Sequence, residues 1–304
     1  MSFTSTTKTE VSKLNLTKAE TISELSAIIK NIGIINKGIK ITTENASLAR
    51  MIFSIMKETY SVTSKVTVRR GYNFQKNYLY ILEIKEKIDE IINDLNLDST
   101  DYKNNYLIDD VSLKRAYLTG VFLAVGSIND PKKSRYHLEF IISNEQYATF
   151  VCNLLNSFNL NSKMLKRENK YMVYIKEAEK IADFLRIISA TNSLLYYENI
   201  RIYRENKNMT NRLNNCEQAN VDKIIMTASL QIKDIELIKE NNFFDMLDDK
   251  LKDVCKYRIE YPEVSMQELS DIMSSELETK ITKSGLNHRL KKIKDIASKI
   301  RKSN

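Results

Sequence analysis

The sequence predicts an α+β protein in which a pseudo-twofold αββαββα repeat domain is followed by a helical domain that ends in a helix-turn-helix. Two observations carry this. The segment LSAIIKNIGIIN (25–36) lines up with LTGVFLAVGSIN (118–129) at an offset of 93, and similar strand and helix patterns follow each copy. Beyond about residue 220 only helical periodicity remains, and it runs into a basic tail. Six glycines and two prolines in 304 residues leave few turn-formers, so helices should dominate.

Each repeat opens with an apolar helix that stops at a glycine, Gly33 or Gly126. The runs IKITT (39–43) and YHLEFIIS (136–143) follow as strands, the second with the alternation of a half-buried one. An amphipathic helix comes next, with Leu48, Ile52, Ile55 and Met56 on its apolar face in the first copy. Tyr147, Phe150, Val151, Leu154, Leu155 and Phe158 play that part in the second. Ser143-x-x-Gln146 has the spacing of a capping box for this second helix. Hairpins are expected from KVTVRR (65–70) with YLYIL (78–82), and from KMLKR (163–167) with YMVYI (171–175). The helices IKEKIDEIINDL (84–95) and KEAEKIADFLRII (176–188) close the two units.

The expected domains are a first repeat at 1–110, a second at 111–205, a connector at 206–221 and a helical domain at 222–304. The helix-turn-helix falls at about 262–301 within the last of these. The polar stretch NRLNNCEQAN (211–220) reads as a buried connector whose Asn and Arg side chains satisfy backbone groups. A nucleophilic Cys216 is disfavoured because no histidine lies near it in sequence.

Composition excludes several classes. No run approaches the ~20 apolar residues of a membrane span, and the opening MSFTSTTKTEVSKLNL lacks the apolar core of a signal peptide. Three scattered cysteines and two histidines, with no Cys-x-x-Cys pair, argue against a disulfide framework and a zinc site. No cofactor, metal or membrane partner is expected, and the chain should be cytoplasmic and nucleoid-associated.

Charge is unevenly placed. Residues 277–304 hold nine Lys or Arg against two acids, whereas residues 222–276 hold thirteen acids against seven bases. Ser265-x-x-Glu268 has capping-box spacing and opens a short helix with Met266, Leu269, Ile272 and Met273 turned inward. In TKSGLNHRLKKIKDIASKI (282–300), Leu286, Leu290, Ile293, Ala297 and Ile300 step by three or four and form one buried stripe. In a helix-turn-helix the start of the second helix meets base edges while flanking cations hold phosphates. Ser284, Asn287 and Arg289 are therefore the candidates for base or near-base contact. Lys283, His288, Lys291, Lys292 and Lys294 are the candidates for phosphate. The alternative is an ordinary basic surface helix packed on the body.

A second set of cations belongs to the repeat. Lys65, Arg69, Arg70 and Lys76 lie in or beside the first hairpin, and Lys163, Lys166, Arg167 and Lys170 in the second. They could line a surface for duplex DNA, or serve only to discourage strand-edge aggregation. Arg69, Arg70, Lys166, Arg167 and Arg212 form the secondary DNA-binding candidates.

The repeat resembles the LAGLIDADG homing endonuclease fold. Residues 118–126, LTGVFLAVG, match its motif at the leucine, the first glycine, an alanine and the last glycine, and LSAIIKNIG (25–33) is a more worn copy. In active members of that fold the eighth position is an acid that holds the catalytic divalent metal; here Val125 and Ile32 stand there. Aliphatic side chains offer no oxygen to magnesium, so the resemblance implies a DNA-shaped scaffold with no catalytic residues. With GVFLAVGSINDP (120–131), YHLEF (136–140), NRLNNCEQAN and TKSGLNHRLKKI (282–293), nearly the whole chain resembles the WhiA family of sporulation and cell-division regulators of Gram-positive bacteria. That resemblance implies a transcription regulator or nucleoid-associated factor, not an enzyme, with its DNA-binding unit at about 268–301. Double-stranded DNA is the expected partner, RNA polymerase or another regulator a further one, and a monomer the expected state. The rival readings are a divergent metal-dependent DNA endonuclease and a protein-interaction module tethered by its basic tail.

Overall fold

The computed structural model describes residues 2–70, 78–99, 102, 105–133 and 135–303. The expectation at Lys76 lies outside them. The chain divides into two compact units, Met1–Arg204 and Glu205–Asn304.

The first unit begins with α1 (Phe3–Val11), a helix too weakly patterned to stand out in the sequence. It buries Phe3, Thr7 and Val11, and Thr4 Oγ1 both donates to the Ile128 carbonyl and accepts from the Ile128 N–H, each at 2.8 Å. The first repeat then runs α2 (Lys18–Ile32), β1 (Gly33–Ile35), β2 (Ile39–Thr43), α3 (Ala46–Tyr60), β3 (Lys65–Arg70), β4 (Tyr78–Ile84) and α4 (Ile88–Asp94). The second runs α5 (Val111–Val125), β5 (Gly126–Ile128), β6 (Leu138–Ile142), α6 (Glu145–Asn156), β7 (Lys163–Arg167), β8 (Lys170–Ile175) and α7 (Ala178–Ile187). Both copies are αββαββα. Their antiparallel sheets share one topology, β1-β2-β4-β3 and β5-β6-β8-β7.

The first helices of the two copies, α2 and α5, pack along each other. They are buried almost all round: every residue from Ser23 to Ile29, and every residue from Ala116 to Leu123, is inside. Gly120 makes the close approach possible. A Cβ there would stand 2.8 Å from Ala27 Cβ and nearer still to the Glu24 carbonyl oxygen, so any larger residue must push the helices apart. Glu24 is 2% exposed, and its Oε1 has no hydrogen-bond partner. Burial, and then the nearby Glu20 charge, push its pKa up to about 8.

Capping explains the helix starts. Thr17 and Glu20 form a reciprocal capping box at α2. At α6 the cap is Asn144, whose side chain accepts from the Tyr147 N–H, and not Ser143. The capping box expected at Ser143–Gln146 is thus one residue out of register, because an Asn one position on caps as well as a Ser does.

α8 (Thr191–Glu240) begins in the first unit, where Glu10 of α1 accepts from the Asn192 N–H (2.6 Å), the Ser193 N–H (3.0 Å) and the Ser193 hydroxyl (2.6 Å). A carboxylate from a distant helix thereby satisfies the free N–H groups of the α8 start. Residues 211–220 are helical and exposed throughout, which corrects their expected burial.

The second unit continues α8 and adds α9 (Asp249–Glu260), α10 (Met266–Glu276) and α11 (Lys283–Ser303). Ile235, Ile238, Leu251, Val254, Leu269 and Met273 meet the α11 stripe in one core. Leu286, Leu290, Ile293, Ala297 and Ile300 are all buried there, as their spacing predicts. Among the described residues no helix is long and apolar enough to cross a membrane.

Candidate nucleic-acid interface

The helix pair α10–α11 is fixed by short-range chemistry. Ser265 caps α10 through the Glu268 N–H, and the Glu268 carboxylate accepts from the Ser265 N–H at 2.7 Å. Hydrogen bonds from the Ser265 N–H, and then its hydroxyl, hold the Glu268 carboxyl below the usual carboxylate range. Ser274 ties the turn down: its hydroxyl donates to the Ser270 carbonyl at 2.6 Å and accepts from the Ile281 N–H at 2.9 Å. Thr282 Oγ1 accepts from the Gly285 N–H at 3.1 Å and so covers one free amide at the α11 start.

With its apolar stripe buried, α11 presents polar side chains outward. Lys283, Ser284, Asn287, His288, Lys291, Lys292 and Lys294 are exposed, and Arg289 is half-buried. At about 100° per residue, Ser284 and His288 share the outermost face, with Lys291 to one side of it and Lys292 to the other. Asn287, Lys291 and Lys294 lie on one flank, where they line a groove of about 660 Å³ with Thr227, Leu230 and Asp234 of α8. Arg289 lies on the opposite flank from Asn287. The base-contact candidates therefore diverge, and His288 and Lys292 are better centred than Arg289. Farther along, Arg301 pairs with Asp234 at 2.6 Å and closes α11 onto α8.

The hairpin candidates separate by strand register. β2 and β6 bury Ile39 and Ile41, and Leu138, Phe140 and Ile142, so these positions mark the helix-covered side of each sheet. Opposed residues share a side and successive residues alternate. Arg70 pairs with Tyr78 and Lys166 with Tyr171, in register with the helix-covered side. Arg69 and Arg167 fall on the outer side, with Lys65, Lys163 and Lys170. One outer surface can thus use Arg69 and Arg167 but not their neighbours. Arg212 is exposed on α8.

Ile32 and Val125 close α2 and α5, half-buried against the core. Asp130 is engaged locally, accepting from the Lys132 N–H at 2.9 Å. Among the described residues no group of three His, Cys, Asp or Glu stands together where a metal could be held. The candidate side chains exposed on α11 are cations, an amide, a hydroxyl and an imidazole.

Three family descriptions match the chain: the WhiA N-terminal LAGLIDADG-like domain over 18–98, the WhiA LAGLIDADG-like domain over 114–207 and the WhiA C-terminal HTH domain over 210–297. A relative from Bacillus cytotoxicus, named a probable cell division protein WhiA, is 43% identical, the match covering 99% of this chain and 98% of that one. One from Bacillus cereus has the same name, identity and coverage. The crystal structure of full-length WhiA from Thermatoga maritima is similar with a TM-score of 0.61 at 26% identity, covering 98% of this chain and 99% of that one.

Proposed function

Because the chain belongs to the WhiA family, we propose that it is a DNA-binding regulator, or a nucleoid-associated factor, acting in cell division, chromosome segregation or sporulation. The observation that carries this is the exposed, basic first half of α11, mounted on a buried stripe in a capped helix-turn-helix. Ser284, Asn287 and His288 meet base edges, Lys283, Lys291, Lys292 and Lys294 hold phosphates, and Arg289 reaches DNA from the flank. The repeat unit serves as a scaffold without nuclease activity, since aliphatic side chains occupy both metal-holding positions. Relatives named cell division proteins support the biological setting.

Fluorescence anisotropy of a labelled duplex with the full chain, over a salt series, tests this reading. Affinity should fall steeply with salt, and the double variant Lys291→Gln/Lys292→Gln should flatten the log–log slope by about 1.8. Absence of duplex binding at low salt overturns the proposal, and magnesium-dependent nicking of plasmid favours the endonuclease. The outer-side cations Lys65, Arg69, Lys163, Arg167 and Lys170 favour a second, weaker duplex surface on the repeat unit.

A further inference from the structure

Within the second unit, a cavity of about 450 Å³ opens beside the first residue of α11. Residues of α8, Arg258 of α9 and the start of α10 line it. Ile224, Ala228, Val264 and Met266 give it apolar sides.

The charge of this cavity is one-sided. Lys223, Arg258 and Lys283 line it, and no carboxylate does, although residues 222–276 carry thirteen acids against seven bases. The neighbouring groove beside Asn287 is different, since Asp234 and Asp295 stand among its cations Lys291, Lys294 and Arg301.

Arg258 is 1% exposed. One guanidinium nitrogen donates to the Tyr261 and Val264 carbonyls at 3.3 and 3.1 Å, but Nε has no partner. No ion pair among the described residues includes it. A buried cation held without a counter-anion is costly, and a bound oxyanion would offset that cost.

We propose that this cavity seats one phosphate of the bound duplex, which makes α8 part of the DNA interface through Lys223. The inference rests on the reading of the chain as a DNA-binding protein. The site sits where a duplex backbone would run: Lys283 opens α11, and Ser265 and Gln267 open α10, the two helices of the motif. The positive end of a helix dipole favours phosphate, and phosphate contacts flank the base pairs that the second helix reads. Lys223 is exposed on α8 and lines the same cavity as Lys283, so its ammonium can reach a phosphate seated there.

Lys223→Gln in the full chain tests this without disturbing the core. The log–log salt slope of duplex binding should flatten by about 0.9, the loss of one phosphate contact. Duplexes with a single methylphosphonate, scanned along each strand, should reveal one position that weakens the wild-type chain more than it weakens Lys223→Gln. An unchanged slope in Lys223→Gln, with Lys292→Gln still flattening it, overturns this inference and leaves the proposed function standing. Failure of the wild-type chain to bind any duplex overturns both. Calorimetry with inorganic pyrophosphate separates the remaining source. Pyrophosphate binding that is lost in Lys223→Gln, with the duplex slope unchanged, would assign the cavity to a free phosphorylated ligand and overturn the duplex assignment.

Discussion

Two helix pairs in this chain have opposite surface economies. In α2–α5, runs of seven and eight successive residues are buried, and the helices touch through Gly120 and Ala27. In α10–α11, only a stripe is buried, and the outward half of α11 carries cations and amides. A helix buried on all sides can specify shape and little else. A helix buried on one stripe keeps a face for a partner. The two motif copies thus hold the repeat unit together, while α11 keeps an exposed face, the one to which we assign DNA recognition.

The sharpest test of that division is Gly120→Ala. The added Cβ meets the Glu24 backbone, which cannot move aside cheaply, so unfolding of the repeat unit should be easier by about 3 kcal/mol. A chemical denaturation curve measures it, and a loss below about 1 kcal/mol would mean that the seam is looser than the geometry implies.

Glu24→Gln tests the same seam through pH. An unfolded glutamate ionises near 4.5, whereas Glu24 in the fold ionises near 8. Between those values the folded chain binds the extra proton, so wild-type stability falls as pH rises across that window, by up to about 1.4 kcal/mol per pH unit. The Gln variant should lack this decline. Parallel stability curves for the two chains from pH 5 to 8 would refute a protonated Glu24.

On the other pair, Asn287→Ala should leave the melting temperature unchanged and weaken the preferred duplex by about 1–3 kcal/mol. Equal weakening on every duplex would show that Asn287 does not read sequence. The smallest effect is expected at the caps. Thr17→Ala and Ser265→Ala should each cost about 1 kcal/mol of stability, a rare point at which the two pairs behave alike.

Much of this was legible beforehand. The offset of 93 exposed the repeat because both copies keep the same apolar spacing up to Gly33 and Gly126. The α11 stripe was readable from Leu286 to Ile300 because a 3.6-residue period is a local property. The three-residue strands β1 and β5 are too short to show alternation. Spacing alone does not say how far neighbouring helices shield the flank of α11 that carries Arg289, which is half-buried. Arg258 gave no signal, as a lone Arg on a charged helix reads as solvated.

What the sequence by itself determined is therefore the order of the longer repeat elements, the buried stripe of α11 and the aliphatic residues Ile32 and Val125 near the ends of the two motif copies. These follow from backbone periodicity and residue type over a few positions. Tertiary structure alone decided that Glu10 caps a helix beginning at Thr191, that Arg69 and Arg70 part to opposite sides of a sheet, and that Lys223, Arg258 and Lys283 surround one cavity. Such groupings join residues far apart in the chain, and only packing brings their charges within reach of one another.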